Sequence, residues 1–355
     1  MMKVLIAMSG GVDSSVAAKL LCDEGYECIG CTMKLYDNCD AGLPRGRTCC
    51  SLDDVEDARS VAFSLGMRYY VFNFKDDFRE KVIKKFASGY LRGQTPNPCI
   101  DCNRYMKFDK LLERAKLLGC DKIATGHYAR IEFDGEKYRL KKALDKSKDQ
   151  SYVLYMLTQE QLAHTLFPLG SLHKTDTRAI ADAADLSSAH KPDSQDICFV
   201  PDGDYATAIE RLTGKKAPCG NFIDASGKVL GTHRGITHYT VGQHRGLGLS
   251  LPERRYVCGI DAESGTVTLG SSDELYSSTA EVRDFNWISG EAPAEPIRCT
   301  AKIRYRQPEQ LATAIAHSDG SVMLHFDAPQ RAVTPGQAAV LYDSDTVLGG
   351  GEIVK

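Results

Sequence analysis

The chain opens on an unbroken apolar run, Val4-Leu5-Ile6-Ala7, which gives way to the polar glycine stretch Ser9-Gly10-Gly11-Val12-Asp13-Ser14-Ser15 and then to Val16-Ala17-Ala18-Lys19-Leu20-Leu21. This pattern predicts a buried strand, a tight turn and a helix. Cys28 to Met33 predicts a second strand. Ser51 precedes a helix with Val55, Ala58, Ala62 and Leu65 on one face, Asp53, Asp54 and Glu56 in its first turn, and Gly66 as its stop. Tyr69-Tyr70-Val71-Phe72 predicts a strand, the sets Phe78, Val82, Ile83, Phe86 and Leu111, Leu112, Ala115, Leu118 predict helices, and Lys122 to Thr125 predicts another strand. Alternation of this kind specifies an α/β fold with a doubly wound parallel sheet. Ligands of such sheets sit beyond the carboxyl ends of the strands, where Ser9, Met33, Gly126 and His127 would lie.

Residues 155–213 read as helices around an irregular stretch from His190 to Asp204. Past residue 214 the pattern changes to short β-rich runs, such as Arg255 to Ile260 and Thr266 to Leu269, with turn signals at Asp261, Gly265, Asp319-Gly320 and Pro335-Gly336. Two small β-rich domains are expected there, with a boundary near 280. The chain thus divides into 1–213, 214–280 and 281–355, and 355 residues exceed what one core comfortably serves.

Composition, at 43% hydrophobic and 26% charged residues, is that of an ordinary globular protein. The first apolar run is too short for a membrane span or a signal segment, so a cytoplasmic chain without membrane contact is expected. A net charge of −3 excludes an indiscriminate polyanion binder. Two basic stretches nonetheless keep nucleic acid open: Lys137, Arg139, Lys141, Lys142, Lys146 and Lys148, and Arg298, Lys302, Arg304 and Arg306.

The glycine loop between strand and helix is an anion cradle, because free helix N–H groups and the positive dipole end face it. It lacks the Gly-Lys-Ser/Thr of a Walker loop and the spacing of a dinucleotide fingerprint. Ser-Gly-Gly-x-Asp-Ser instead resembles the pyrophosphate loop (PP-loop) of ATP pyrophosphatases, which implies cleavage of ATP between its α and β phosphates, with Asp13 helping to place Mg²⁺. The plainer reading is a glycine turn capped by Asp13 and Ser14.

Thirteen cysteines in a chain without a secretion signal favour thiolate, persulfide or metal chemistry over a disulfide framework. Cys99 and Cys102 form a Cys-x-x-Cys in the two-proline loop Thr95 to Asn103, and Cys198 lies in the polar loop Asp193 to Phe199. Cys39, Cys49 and Cys50 share a third loop, while the other seven cysteines read mostly as small buried hydrophobes. A Cys-x-x-Cys serves as half a zinc site, a redox dithiol or part of an iron-sulfur site. A persulfide can also hand on its outer sulfur when a second thiol leaves it as a disulfide.

The loop Ser9 to Ser15, Thr95-Pro96-Asn97-Pro98 with Cys102-Asn103, Ala124 to Tyr128, Lys148 to Tyr152, Asp193 to Phe199, Gly242-Gln243, Arg304 to Gln307 and Thr334 to Gln337 occur in the order of one family. Through them nearly the whole chain resembles the bacterial tRNA-specific 2-thiouridylases. The resemblance implies a PP-loop domain followed by two β-rich domains, the last a β-barrel, and sulfur insertion at C2 of the wobble uridine of tRNAs for Glu, Gln and Lys. It implies ATP contacts at Ala7, Met8, Ser9, Gly10, Gly11, Val12, Asp13, Ser14, Met33 and Gly126, and a persulfide on Cys198 with Cys102 as partner thiol. Asn97, Pro98 and Cys99 would meet the target base. His127, Lys148, Asp149, Gln150, Arg304, Tyr305, Arg306, Gln307 and Gln337 would meet tRNA, although His127 alone reads as a strand-end histidine and Gln337 as a turn residue. A sulfur-relay protein or cysteine desulfurase would supply the sulfur. Some members of the family carry an acid where this chain has Cys99, so Cys99, Cys102 and Cys198 would also suit an iron-sulfur cluster bearing the sulfide. Two other readings stand beside these: another pyrophosphate-loop ligase, and a nucleotide-dependent RNA-binding or cluster-sensing protein without turnover.

Overall fold

The structure is a computed structural model that describes residues 1–36, 52–191, 197–200 and 202–355. Cys39, Cys49, Cys50, Ser51 and the stretch Asp193 to Asp196 lie outside the described residues. Strand β1 (Lys3–Ala7) fully buries Val4, Leu5 and Ile6, as a central strand covered on both faces must. It pairs in parallel with β2 (Glu27–Lys34) on one side and β4 (Lys122–Ala124) on the other. Beyond β2 lies β3 (Arg68–Asn73), and beyond β4 the two-residue β7 (Thr165–Leu166). The order β3-β2-β1-β4-β7 makes β1/β4 the switch point of the sheet, where a crevice opens past the strand ends.

Helices α1 (Val12–Asp23) and α2 (Leu52–Ser64) pack on the sheet through Val16, Ala17, Ala58 and Ala62. Gly66 has φ +70°, the left-handed geometry of a helix stop. The helical stretches 75–91 and 98–117 each include π-helical turns, Arg79–Ile83 and Cys102–Lys110. Such turns recur at functional sites, and the second begins on Cys102.

The short strand β7, in a stretch read as helical, and one hairpin depart from the sequence reading. The hairpin β5 (Ala129–Phe133) and β6 (Tyr138–Lys142) leaves the first domain and joins the last sheet, where Lys141 pairs with Thr346. Only Leu140 of β6 is fully buried, so its strand pattern is hidden inside a basic run.

The middle domain holds β8 (Gly220–Ile223), β9 (Val229–His233), β10 (Tyr256–Asp261) and β11 (Thr266–Gly270) around Phe222, Tyr239, Val257, Val267 and Leu269. The last six strands are β12 (Tyr276–Trp287), β13 (Ile297–Lys302), β14 (Gln310–Ala316), β15 (Val322–Arg331), β16 (Ala338–Asp343) and β17 (Thr346–Ile353). Because β12 pairs with both β15 and β17, the six close into a barrel without a free edge. Strand β12 runs across residue 280 rather than starting beyond it.

The barrel and the first domain share one core. The segment 151–157 is buried between them, with Tyr152, Leu154 and Leu157 packed in one cluster with Ile288, Val340, Tyr342 and Val347. Asn286 Nδ2 donates to the Tyr155 and Leu157 carbonyls at 2.7 and 3.1 Å, and Gln159 Nε2 to Ile288 O at 2.7 Å. Tyr152 is fully buried and its hydroxyl donates to Ala338 O at 2.8 Å. Removing that donor leaves a buried carbonyl unsatisfied, which costs about 1–3 kcal/mol. Tyr152→Phe therefore lowers the thermal midpoint by several degrees, and scanning calorimetry that finds no loss would contradict a shared core.

Candidate functional site

The glycine loop folds as its residues require. Gly10 has φ +75°, and a Cβ there would stand 2.4 Å from Asp54 O, so only glycine fits the turn. Gly11 is the N-cap of α1 and no side chain caps it. Ser14 Oγ donates to Gly11 O at 3.0 Å and lies 3.1 Å from the Ser9 amide nitrogen, which donates to it. Ser15 Oγ also donates to Gly11 O, and Ser188 Oγ donates to Ser15 Oγ at 2.9 Å. The result is a braced cradle with Ser9 exposed at its mouth.

Strand ends close the cradle. Met8 N donates to Cys31 O, and Thr32 Oγ1 donates to Met8 O at 2.6 Å, which fixes the residues leaving β1 to β2. Gly126, just past β4, lies so near α1 that a Cβ would be 2.8 Å from both Asp13 C and Ser14 N. Asp13 Oδ1 accepts from Lys174 Nζ at 2.7 Å and from the Tyr128 hydroxyl at 3.0 Å. Lys174, at the start of the helix Lys174–Ala183, gave no sequence signal because a lone lysine at a helix start is common. Ala7, Met8, Ser9 to Ser14 and Gly126 thus lie together at the carboxyl ends of β1 and β4, with Met33 half-buried near the end of neighbouring β2.

The cysteines gather less completely. Asn97 Oδ1 caps the short helix Pro98–Asp101 by accepting from the Cys99 amide at 3.1 Å, with Pro98 in the first turn where its missing N–H is harmless. Cys102 and Cys198 both pack against one apolar cluster of Leu35, Tyr36, Phe78, Phe86 and Phe199, beside Met33. The Tyr36 hydroxyl donates to Cys198 O at 2.8 Å. Cys99 is exposed instead and lies within electrostatic reach of Tyr305 on the barrel. Among the described residues no three Cys, His, Asp or Glu side chains are grouped to hold a metal ion, and Cys99, Cys102 and Cys198 are no exception. Cys99 is exposed, while Cys102 and Cys198 are half-buried against the apolar cluster.

The remaining predicted residues are mostly structural ties. His127 is buried beside Phe108 and Phe167, which also touch each other, with Nδ1 2.7 Å from Thr125 Oγ1 and Nε2 3.4 Å from Lys107 Nζ. An ammonium can only donate, so Nε2 accepts and Nδ1 carries the proton. Gln150 zips to Tyr128 through N to O at 2.9 Å and N to Oε1 at 3.0 Å. Asp149 accepts from Ala143 N, Ser151 N and Ser151 Oγ. The Tyr305 hydroxyl donates to Asp149 O at 3.3 Å, which places Lys148 to Gln150 beside the barrel. Gln307 Nε2 donates to Gln330 Oε1, Gln337 Nε2 donates to Thr95 O at 2.5 Å, and Arg306 is exposed.

The two basic stretches carry less open charge than the sequence suggests. Arg139 pairs with Asp134 at 2.6 Å, Lys141 with Glu132 at 2.8 Å and Lys142 with Glu309 at 2.6 Å, and Arg298 holds Asp327 through two bonds. Arg304 Nη2 donates to Val241 O, Ala332 O and Thr334 Oγ1, which ties the middle domain to the barrel.

A parallel sheet with a glycine phosphate loop at its switch point defines a nucleotide-binding domain of the pyrophosphate-loop class. Profiles of known families agree: the tRNA methyl transferase HUP domain matches residues 2–202, the tRNA methyl transferase PRC-barrel domain 207–271, and the aminomethyltransferase beta-barrel domain 277–353. The chain is 53% identical to the tRNA-specific 2-thiouridylase MnmA of Acetivibrio thermocellus over 99% of both chains. It is 51% identical to MnmA 2 of Caldanaerobacter subterraneus subsp. tengcongensis and 47% identical to MnmA of Clostridioides difficile, each over 99% of this chain and 98% of the relative. This chain belongs to the tRNA-specific 2-thiouridylase family.

Two tests follow from the geometry. Overpacking against backbone costs about 1–3 kcal/mol, so Gly126→Ala, which would press on Asp13 and Ser14, lowers the thermal midpoint by several degrees, and an unchanged midpoint would contradict the close approach. Burial, helped by the Lys107 charge, holds the His127 imidazole well below its ordinary value. Its contribution to stability is complete above about pH 6.5 and is lost as pH falls from there toward the depressed folded value, with a slope of at most about 1.4 kcal/mol per pH unit. His127→Gln flattens that acid limb in urea melts at stepped pH, and an unchanged limb would show that another group sets it.

Proposed function

We propose that this chain catalyses ATP-dependent 2-thiolation of the wobble uridine in tRNAs for Glu, Gln and Lys. The observation that carries the reading is that Cys102 and Cys198, distant in sequence, pack on one cluster beside Met33, at the end of the strand next to the phosphate loop. Membership of the 2-thiouridylase family supports it. Residues 1–213 carry the chemistry, 214–280 form the middle domain, and 281–355 assist tRNA binding. None of the described helices is long and apolar enough to cross a membrane, and the enzyme acts in the cytoplasm.

The C2 oxygen of uracil is a poor leaving group, so it must first be activated. It attacks the α-phosphate of ATP and expels pyrophosphate, whose charge the loop amides and the dipole of α1 accept. Asp13 Oδ1 is held by Lys174 and Tyr128, and the Asp13 carboxylate would help to hold a Mg²⁺ carried in on the ATP phosphates, as one or two carboxylates with phosphates usually hold this ion. Such an ion would supply charge neutralisation on the departing pyrophosphate. Backbone at Met33 and Gly126 contacts the nucleotide.

A sulfur-relay protein or cysteine desulfurase loads Cys198 as a persulfide. Its terminal sulfur attacks C2, and AMP departs with the former uracil oxygen. The Cys102 thiolate then attacks Cys198 Sγ, the S–S bond breaks toward the base to leave the thiocarbonyl, and a Cys102–Cys198 disulfide remains. An external dithiol reduces it. Asn97, Pro98 and Cys99 receive the extruded base, which costs little to unstack from an anticodon loop. His127, Lys148 to Gln150, Arg304 to Gln307 and Gln337 shape the tRNA-facing surface.

The test supplies unmodified tRNA, Mg-ATP and a cysteine desulfurase charged with cysteine, and scores AMP and 2-thiouridine. Wild type releases one AMP per thiouridine, while Cys102→Ala and Cys198→Ala each lose thiolation by at least about a hundredfold. Activity surviving in both variants would favour another pyrophosphate-loop reaction, and tRNA binding without AMP release in wild type would favour a non-catalytic binder.

A further inference from the structure

A like-charged pair sits where the middle domain meets the barrel. A Cβ built on Gly242 would lie 3.8 Å from Arg304 Nη2 and equally 3.8 Å from Arg331 Nη1, so both guanidiniums crowd one point. Neither makes an ion pair with a described carboxylate. Arg304 Nε is buried with no hydrogen-bond partner, and Nη1 has none among the described residues, its bonds all running from Nη2. The Arg331 guanidinium lies over the Tyr256 ring at 5.1 Å, and the His244 ring lies 5.3 Å from the same ring. Half-buried and stacked, Arg331 is held in place rather than waving in solvent.

Two adjacent guanidiniums repel each other, and burial, with the charge of Arg331 adding to it, pushes Arg304 below its ordinary value. Elsewhere on this chain arginines in such settings have acids: Arg298 has Asp327, Arg104 has Asp284, and Arg130 has Asp345. Arg306, two residues from Arg304, and Arg245, three residues from Gly242, are exposed. Two guanidiniums without a carboxylate beside them match the charge of a phosphate, with half-exposed Arg331 presenting the donors and Arg304, its Nε buried and its Nη2 engaged, adding charge.

We propose that Arg331 and Arg304, backed by Tyr256, form a binding site for a backbone phosphate of the tRNA, placing the middle domain in the tRNA footprint. This rests on the thiolation reading. The site lies along the barrel from Tyr305, which is near Cys99, so a strand whose base enters at Cys99 can run its backbone across the seam. Arg304 also ties the two domains together, so Arg331 is the cleaner residue to test. An acidic face of a protein partner is the competing occupant.

Binding of unmodified tRNA is measured by filter retention across a salt series, with melting curves confirming that each variant folds. Loss of one phosphate contact reduces the slope of log K against log salt by about one. Arg331→Gln shows that reduction together with weaker binding at fixed salt, and Arg331→Lys retains most of the slope. Should Arg331→Gln fail to fold, phenylglyoxal labelling of wild type replaces it, and bound tRNA protects Arg331 in peptide mass spectra. An unchanged slope, or labelling of Arg331 that tRNA leaves untouched, overturns the site while the thiolation reading stands. Wild type that binds no tRNA at all overturns the thiolation reading, and the site with it.

Discussion

The candidate site depends on a backbone contact between two domains. Thr95 N donates to Pro335 O at 2.8 Å, Gln337 Nε2 donates to Thr95 O, and a Cβ on Gly336 would stand 2.8 Å from Thr95 N. No side chain fits between these strands of chain, so the barrel turn at Thr334 to Gln337 grips the start of the loop that carries Asn97, Cys99 and Cys102. The loop is therefore not a free appendage of the first domain. Its position follows from the barrel, and the barrel is fixed in turn by the buried segment 151–157.

Beneath that loop lies a charged seam. Lys85 Nζ donates to Asp101 at 2.9 Å and lies 3.7 Å from Glu352 of the barrel, and Arg104 pairs with Asp284 at 2.6 Å. Burial raises the Asp101 carboxyl above its ordinary value, with Lys85 opposing the shift. Asp101 sits between Cys99 and Cys102 in sequence, so this pairing orients the turn that presents both thiols. Broken pairs of this kind are costly because a half-buried charge is left behind. The domains are joined both by apolar packing and by a short list of specific polar ties.

Much of the fold was legible because its signals are local. The run Val4 to Ala7, the glycines at 10 and 11 and the stop at Gly66 each act on their neighbours, and the strand and helix alternation through residue 124 followed from them. The hairpin at 129–142 was not legible, since Arg139, Lys141 and Lys142 read as a basic run, whereas nearby Asp134 and Glu132 pair with Arg139 and Lys141, and the distant Asp345 and Glu309 reach Lys141 and Lys142. The two-residue strand Thr165–Leu166 is too short to carry a pattern. At the site, the loop motif was visible, but the partners of Asp13 were not: Tyr128 and Lys174 reach it from 115 and 161 residues away. Arg304 and Gln337 were expected to face RNA, and each also makes a tie between domains that only the packed structure reveals.

The central claim is that the uracil oxygen itself is activated by ATP before sulfur replaces it. Unmodified tRNA carrying ¹⁸O at C2 of the wobble uracil, incubated with the enzyme, Mg-ATP and a persulfide source, tests this in one turnover. Mass spectrometry of the nucleotide product is expected to find the ¹⁸O in AMP, in step with thiouridine formed. Thiouridine formed with unlabelled AMP would contradict the account, because the oxygen would then have left by a route that does not pass through the adenylate.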